Sequence, residues 1–250
     1  MSNRSESMLI HSADFVAGAA AARGVAIVID VFRACSLQAH ALAAGATAIV
    51  PVEGVDEALA LKREHPDWLL AGERHARRLP GFDCGNSPTE ILEAAPVGRT
   101  LIHTTHAGTQ GLMAAARVAS HVFTGAFVNA SATVAAVLAL APREVTVIAM
   151  GHEARERCAE DDLCRDWLIA ALGGRPFDLG DLASRLRMAP AAEKFFDPAA
   201  DWAPERDFAL CTAVDAVPFA VSLSGASASM GGHPSWAQRP VLRRHAYRSA

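Results

Sequence analysis

Five short polar stretches in this chain combine residue types that can bind an anion and act on it. Asp30-Val31-Phe32-Arg33 closes an apolar run with a carboxylate, sets a guanidinium three residues on and has Ser36 beyond. Asp30 suits an oxygen ligand for a hard cation, and Arg33 suits a bidentate clamp on phosphate or sulfonate; a helix cap would place an aspartate at the same position. Gly72-Glu73-Arg74 adds a second acid beside a base. Thr104-Thr105-His106-Ala107-Gly108-Thr109 offers three hydroxyls and a glycine just ahead of a helix, the makings of a phosphate cradle with His106 as acid or base. The competing reading is an ordinary turn with Thr109 as cap. Glu160-Asp161-Asp162 opens a helix, where the macrodipole alone selects acids, yet magnesium needs one or two carboxylates and these are the second place to look for them. The fifth stretch, Gly81-Phe82-Asp83-Cys84-Gly85-Asn86-Ser87-Pro88-Thr89-Glu90, contains a capping box: Ser87 as N-cap, Pro88 at the first helical position and Glu90 three residues after the cap. Helix initiation accounts for those three residues. Gly81, Asp83, Gly85 and Asn86 are left over, at a helix N-terminus where an anion could bind.

The elements that must carry these stretches alternate. Val25 to Asp30 is a continuous apolar run typical of a strand covered on both faces, and an alanine-rich helical segment follows to Ala44, ended by Gly45. Ala46 to Val52 is a strand, Val55 to Glu64 a helix stopped by Pro66, and Trp68 to Ala71 a strand leading into Gly72. The plan then recurs: strand at Thr100 to Thr104, helix at Thr109 to Arg117, strand at His121 to Thr124, helix at Ser131 to Leu140, strand at Val145 to Ala149. Such alternation predicts an α/β fold, a largely parallel sheet of βαβ units covered by helices. Asp30 to Arg33, Gly72 to Arg74, Thr104 to Thr109 and Gly151-His152 all follow strands, so these four loops should meet at the carboxyl ends. The shared plan of Val25 to Val52 and Thr100 to Phe127 hints at an internal repeat. A helix is expected over Asp181 to Met188 and an apolar pattern returns over Asp207 to Val221. One α/β unit over residues 1–223, or two lobes of about 1–125 and 126–223, both fit, with 224–250 as a flexible basic tail that adds nothing to the core.

Composition narrows the partners. A formal charge of -4 over 250 residues lacks the basic footprint of a nucleic-acid binder, and the longest alanine-rich apolar run, Ala132 to Ala141, is too short to cross a bilayer. Small molecules are the expected partners. Five cysteines, an odd number without a pairing pattern, and a polar Ser2 to Glu6 start fit a reduced cytoplasm. Several chemistries are excluded by spacing. Cys164, not Arg, stands six residues after Cys158, Phe32 occupies the place of the second aspartate that an aspartyl-phosphate nucleophile motif requires, and neither a Walker motif nor Gly-x-Gly-x-x-Gly occurs.

Taken together, the stretches resemble the 2-phosphosulfolactate phosphatase family. The matching positions are Asp30-Val31-Phe32-Arg33-Ala34-Cys35-Ser36, Gly72-Glu73-Arg74, Gly81 through Pro88, Thr104 through Thr109, Asn129-Ala130 and Glu160-Asp161-Asp162-Leu163-Cys164, in the family's order. With Asp215-Ala216-Val217-Pro218 near the end, the resemblance covers about residues 24 to 220. It implies magnesium-dependent hydrolysis of the phosphate monoester of a small sulfonated hydroxy acid, releasing 3-sulfolactate on the route to coenzyme M. On that reading Asp30 with Glu160 or Asp161 holds the metal. Arg33, Ser36, Arg74, Asn86, Thr104, Thr105, Gly108, Thr109 and Asn129 face the phosphate and sulfonate, and Glu73 or Asp83 positions the water with His106 as a further acid or base. A homodimer is compatible with it. Three departures bear on substrate: His106-Ala107 for the family's Asn-Gly, Arg165-Asp166-Trp167 for a small Ala-Gly, and the polar His152-Glu153-Ala154 after Gly151. The competing expectation is a non-catalytic member that keeps the pocket to bind a small anion or a protein.

Overall fold

The computed structural model describes residues 8–224 and 239–245. The alternating pattern becomes β1 (Leu9–Asp14), α1 (Phe15–Ala20), β2 (Val25–Ile29), α2 (Ala34–Ala43), β3 (Ala48–Pro51), α3 (Val55–Glu64), β4 (Leu69–Arg74), β5 (Arg77–Arg78), α4 (Pro88–Glu93), β6 (Thr100–Thr104), α5 (Gly108–Ala116), β7 (His121–Gly125), α6 (Ala130–Ala139) and β8 (Glu144–Ala149). Then come α7 (Ala159–Leu172), α8 (Leu182–Arg187), a 3-10 turn at Pro190–Phe195, α9 (Glu205–Thr212), β9 (Val221–Ser224) and β10 (Val241–Arg244). The strands form one sheet in the order β1-β8-β2-β7-β9-β10-β3-β6-β4-β5.

Two parallel sets make up most of this sheet, β1-β8-β2-β7 and β3-β6-β4. Three antiparallel pairings in succession, β7 with β9, β9 with β10 and β10 with β3, lie between them, so the sets run in opposite directions. The sheet is therefore not the single open parallel sheet to which the carboxyl-end rule applies directly. An internal repeat lies behind the reversal. The elements β2-α2-β3-α3-β4 begin at residues 25, 34, 48, 55 and 69, and β6-α5-β7-α6-β8 begin at 100, 108, 121, 130 and 144. Helix α2 carries the chain from the first set into the second, and α5 carries it back.

Alternation along the strands explains the helices on both faces. In β2, Ala26 and Val28 join one core cluster while Val25, Ile27 and Ile29 join another. The first cluster spans both sets and contains Leu37, Ala41 and Leu42 of α2 with Leu112 and Ala115 of α5. Every residue of α2 from Ala34 to Leu42 is buried, as expected of a helix that is apolar nearly all round. Its alanines let neighbours approach closely. The second cluster covers the other face of the β2 set through α6, α7 and α9; a third, with Ala58 and Leu61 of α3 against Val50, Leu70 and Ile102, covers the β3 set.

Two ends of the chain depart from the expected pattern. β1 is an edge strand beside β8, half-buried and polar enough at His11 and Asp14 to hide its character. Of the expected tail, residues 225–238 and 246–250 lie outside the described residues. Within 239–245, Val241–Arg244 is a strand in the middle of the sheet and Leu242 is fully buried, so this part is packed where no core was expected. The arginines that make the segment look solvated reach outward: Arg243 donates to Thr47 O and Arg244 lies over the Phe219 ring.

Candidate active site

The first residues of α2 and α5 lie side by side. Gly108 makes this contact possible, since a Cβ there would stand 2.7 Å from Asp30 Oδ2 and 2.8 Å from Ala34 Cβ. Equivalent repeat positions do equivalent work. Asp30 Oδ1 accepts from Ala34 N (3.2 Å) at the start of α2, and Thr105 Oγ1 accepts from Thr109 N (3.1 Å) at the start of α5. Each side chain thus accepts a main-chain N–H from the first turn of its helix, although neither stands at the N-cap position. Asp30 has a second oxygen, and with it the residue also enters a cavity of about 190 Å³.

Asp30, Glu73, Glu160 and Asp161 all line this cavity, together with Asn86 and His106. Glu73 holds two loops at once: its Oε2 accepts from Ala76 N (2.7 Å) and its Oε1 from His106 N (2.8 Å). Asp161 does the same on the other side, with Oδ1 accepting from Val31 N and Oδ2 from Gly151 N, each 2.8 Å. Glu160 Oε2 is buried without a hydrogen-bond partner among the described residues. Burial pushes the Asp30 carboxyl up to about 6, with Glu73 and Glu160 adding to the rise. Asp161 lies well above the usual carboxylate range through burial and then the charges of Glu160 and Asp30, and Glu160 is raised mainly by burial. Positive charge beside these carboxylates would favour their ionised forms. The donors are hard oxygens, one of them unpartnered; donor atoms of Glu160 and Asp161 lie within 4.8 Å of each other and of Cys158, and Asp30 lines the same cavity, so these carboxylates suit a small divalent cation such as magnesium.

Lys194, in the 3-10 turn, is the cation the sequence did not point to. It lines the cavity, and its pKa is lowered, first by burial and then by the Arg33 charge, with the charges of Glu160 and Asp30 acting against the fall. No periodicity marks the stretch around it. Arg33 borders the same cavity, but its guanidinium is engaged: Nη1 donates to Asp207 Oδ2 (2.8 Å) and Trp202 O (3.0 Å), and Nη2 to Ala76 O (3.4 Å). Phe195 and Trp202 lie against it at 5.9 and 5.8 Å.

Asp207, also unmarked in the sequence, explains what the α4 N-terminus binds. Its Oδ1 accepts from Ser87 Oγ (2.9 Å) and Thr89 N (2.8 Å). The anion expected at this helix end is the chain's own carboxylate. Ser87 caps α4 as expected, accepting from Glu90 N, but Glu90 reaches back to Gly85 N (2.6 Å) rather than to the cap residue. Asp83 is also spent on structure: Oδ2 accepts from Leu70 N and Lys62 Nζ, both 2.9 Å, and the residue does not line the cavity. Of the unexplained residues in that stretch only Asn86 reaches the cavity, its Oδ1 accepting from His103 Nε2 (3.3 Å).

The remaining expected positions divide in the same way. Ser36 Oγ in α2 donates back to Val31 O (2.8 Å) in the loop before the helix. Thr105 and Thr109 bond each other, and Thr104 Oγ1 accepts from Arg74 Nη2 (3.1 Å), which also donates to Glu53 O. Thr104, Thr105 and Thr109 are buried in this network and do not line the cavity. Asn129 is fully buried with both amide atoms unpartnered among the described residues, and it too lies away from the cavity lining. Of the departures, Arg165 bridges Asp14 (2.6 Å) and Asp162 (2.8 Å) while Trp167 packs against the second core cluster. That change is absorbed by packing. His106 and Glu153, by contrast, stand in the cavity wall, with His75 beside them.

Comparisons with known proteins place the chain in a family. A family profile described as 2-phosphosulpholactate phosphatase matches residues 10–196. The chain is 41% identical over 131 residues to a probable 2-phosphosulfolactate phosphatase of Deinococcus radiodurans, covering 52% of this chain and 55% of that protein. Proteins of the same name from Symbiobacterium thermophilum and Bacillus subtilis are 38% identical over 163 residues and 31% identical over 188, covering 63% and 74% of this chain and 68% and 81% of theirs. The match to the first of these relatives thus spans little more than half of its length.

Proposed function

Because the chain belongs to the 2-phosphosulfolactate phosphatase family, we propose that it hydrolyses the phosphate monoester of 2-phosphosulfolactate, or of a related phosphorylated hydroxy acid, with magnesium. The observation that carries this reading is the meeting of Asp30, Glu73, Glu160, Asp161 and Lys194 in one small cavity. Unaided hydrolysis of such monoesters is among the slowest known reactions, so the site must supply charge stabilisation and an oriented water. Asp30, Glu160 and Asp161 would hold the magnesium ion, which when bound supplies charge neutralisation at the phosphoryl oxygens. Lys194 lines the same cavity and, when protonated, adds positive charge beside them. Glu73, pinned by the N–H groups of Ala76 and His106, keeps a lone pair on each oxygen for the attacking water and orients it. Asp161 fixes the loops after β2 and β8 by its bonds to Val31 and Gly151, so the donors are positioned before substrate arrives. The Phe32, Pro190 and Trp202 side of the cavity limits the substrate to a small acid.

Release of phosphate from a panel of phosphorylated hydroxy acids, with and without magnesium, tests the proposal. Turnover that requires the metal is expected for a sulfonated or carboxylated three-carbon substrate. No turnover of any of them, despite ligand-induced thermal stabilisation, would leave only a binding protein. Asp30→Asn should abolish metal-dependent turnover, because it removes a charge from the carboxylates that would hold the ion. Its melting temperature should be unchanged or higher, because burial disfavours the Asp30 charge in the free protein.

A further inference from the structure

We propose that His75, His106 and Glu153 form a second cation site at the mouth of the cavity, for a divalent transition metal of the zinc class. Their donor atoms all lie within 4.8 Å of one another. His75 Nδ1 is 2.6 Å from Glu153 Oε1, and the His75 and His106 rings are 5.3 Å apart. His106 is held by its main chain, whose N–H donates to Glu73 Oε1 (2.8 Å), while its Nδ1 is buried without a partner among the described residues. A buried imidazole nitrogen left without a partner is costly unless a proton donor or a metal fills the place.

The backbone presents these residues from three separate loops. His75 and Ala76 form the turn between β4 and β5 with φ of 52° and 61°, and Glu153 and Ala154 form the turn closed by the His152–Glu156 bridge with φ of 50° and 56°. Glycine or asparagine is the usual choice at left-handed turn positions; here histidine and glutamate stand there and point at one another.

The donor set decides the class of ion. Two imidazoles and one carboxylate suit zinc and its neighbours, and catalytic zinc sites use this set with water or substrate in the open position, whereas magnesium prefers oxygen donors alone. The carboxylates of Asp30, Glu160 and Asp161 that line the cavity and the nitrogen-rich mouth would thus sort two different ions. Cys158 with Glu160 and Asp161 is the competing set for a thiophilic ion, and the experiment must separate the two.

Full-length protein stripped with a chelator and kept in excess magnesium, so that the carboxylate cluster is occupied, is titrated with zinc by calorimetry. One equivalent should bind to the wild type and to Cys158→Ser. His75→Ala and Glu153→Gln should each weaken binding by at least the roughly 10- to 100-fold that loss of an outer-shell partner costs. The His75 side chain is 74% exposed, so removing it does not threaten the fold; a melting curve for each variant confirms this. Cobalt as a probe should show no thiolate charge-transfer absorption. Absence of zinc binding by the wild type, wild-type binding in both histidine-site variants, or loss of binding in Cys158→Ser would each overturn the assignment. The readout is metal binding itself, so it is independent of whether the protein proves to be a phosphatase.

Discussion

Asp207 offers the most demanding test of how the site is held together. Its side chain is fully buried and satisfies three donors: Arg33 Nη1, Ser87 Oγ and Thr89 N. Replacing it with alanine strands a buried guanidinium whose other partners are two main-chain carbonyls, and leaves two further buried donors empty. Breaking a buried ion pair from one side costs about 3–5 kcal/mol, and the orphaned hydroxyl and N–H carry penalties of about 1–3 kcal/mol each that overlap with it rather than add. For a chain of this size roughly 2–4 °C of melting temperature goes with each kcal/mol, so Asp207→Ala should melt about 6–20 °C below the wild type. The paired replacement Arg33→Met with Asp207→Leu removes both charges and should recover much of the loss. Differential scanning calorimetry measures all three proteins. A single variant melting within about 2 °C of the wild type, or a double variant as unstable as the single one, would refute the claim that Arg33 is fixed by Asp207; Arg33 would then be available as a mobile anion clamp.

Two further outcomes follow from buried residues outside the cavity. Burial lowers the His103 pKa from 6.5 to about 3, with Gln38 Nε2 donating to its Nδ1 and its Nε2 donating to Asn86. The unfolded chain then takes up a proton below pH 6.5 that the folded chain refuses, so this residue contributes stability above that pH and withdraws it as pH falls toward 3. Between pH 6.5 and 5 the loss should be about 2 kcal/mol, and in urea titrations His103→Gln should show a pH dependence shallower by that amount. Leu242→Ala should cost about 2–5 kcal/mol, as truncation of a fully buried leucine does; a melting temperature equal to the wild type would show that β10 is not part of the stable sheet.

Much of the fold was legible because the repeat is written in apolar runs and breakers. Val25–Ile29 is buried at every position, α3 spans Val55–Glu64 as the pattern and Pro66 require, and β6 spans Thr100–Thr104. What could not be read was pairing over distance. The carboxyl-end rule brought Asp30, Glu73 and His106 together for an incomplete reason, since the two parallel sets oppose each other and it is α2 and α5, packed start to start, that join the loops. Asp83 and Arg33 have the residue types of a site, but Leu70, Lys62 and Asp207 had already claimed them in the fold. Lys194 and Asp207 lie where no periodicity separates a functional residue from its neighbours. Val241 and Leu242 stand among arginines, and a strand of four residues is too short to show its alternation against them.

The crossing of the repeat also bears on how the chain acquires its structure. Every parallel pairing joins a strand from residues 9–74 to one from residues 100–149; β2 finds β7 and β8, β3 and β4 find β6, and β1 finds β8. Val25 meets His121 and Ala48 meets Thr100. During synthesis the first four strands must wait with their edges open until the second half of the repeat has left the ribosome. Loop closure over such separations precedes any gain from the contacts it permits, so assembly should be slow and cooperative, with no half able to form its share of the sheet first. The arrangement that brings two helix starts together at the cavity thus ties the site's existence to completion of nearly the whole chain.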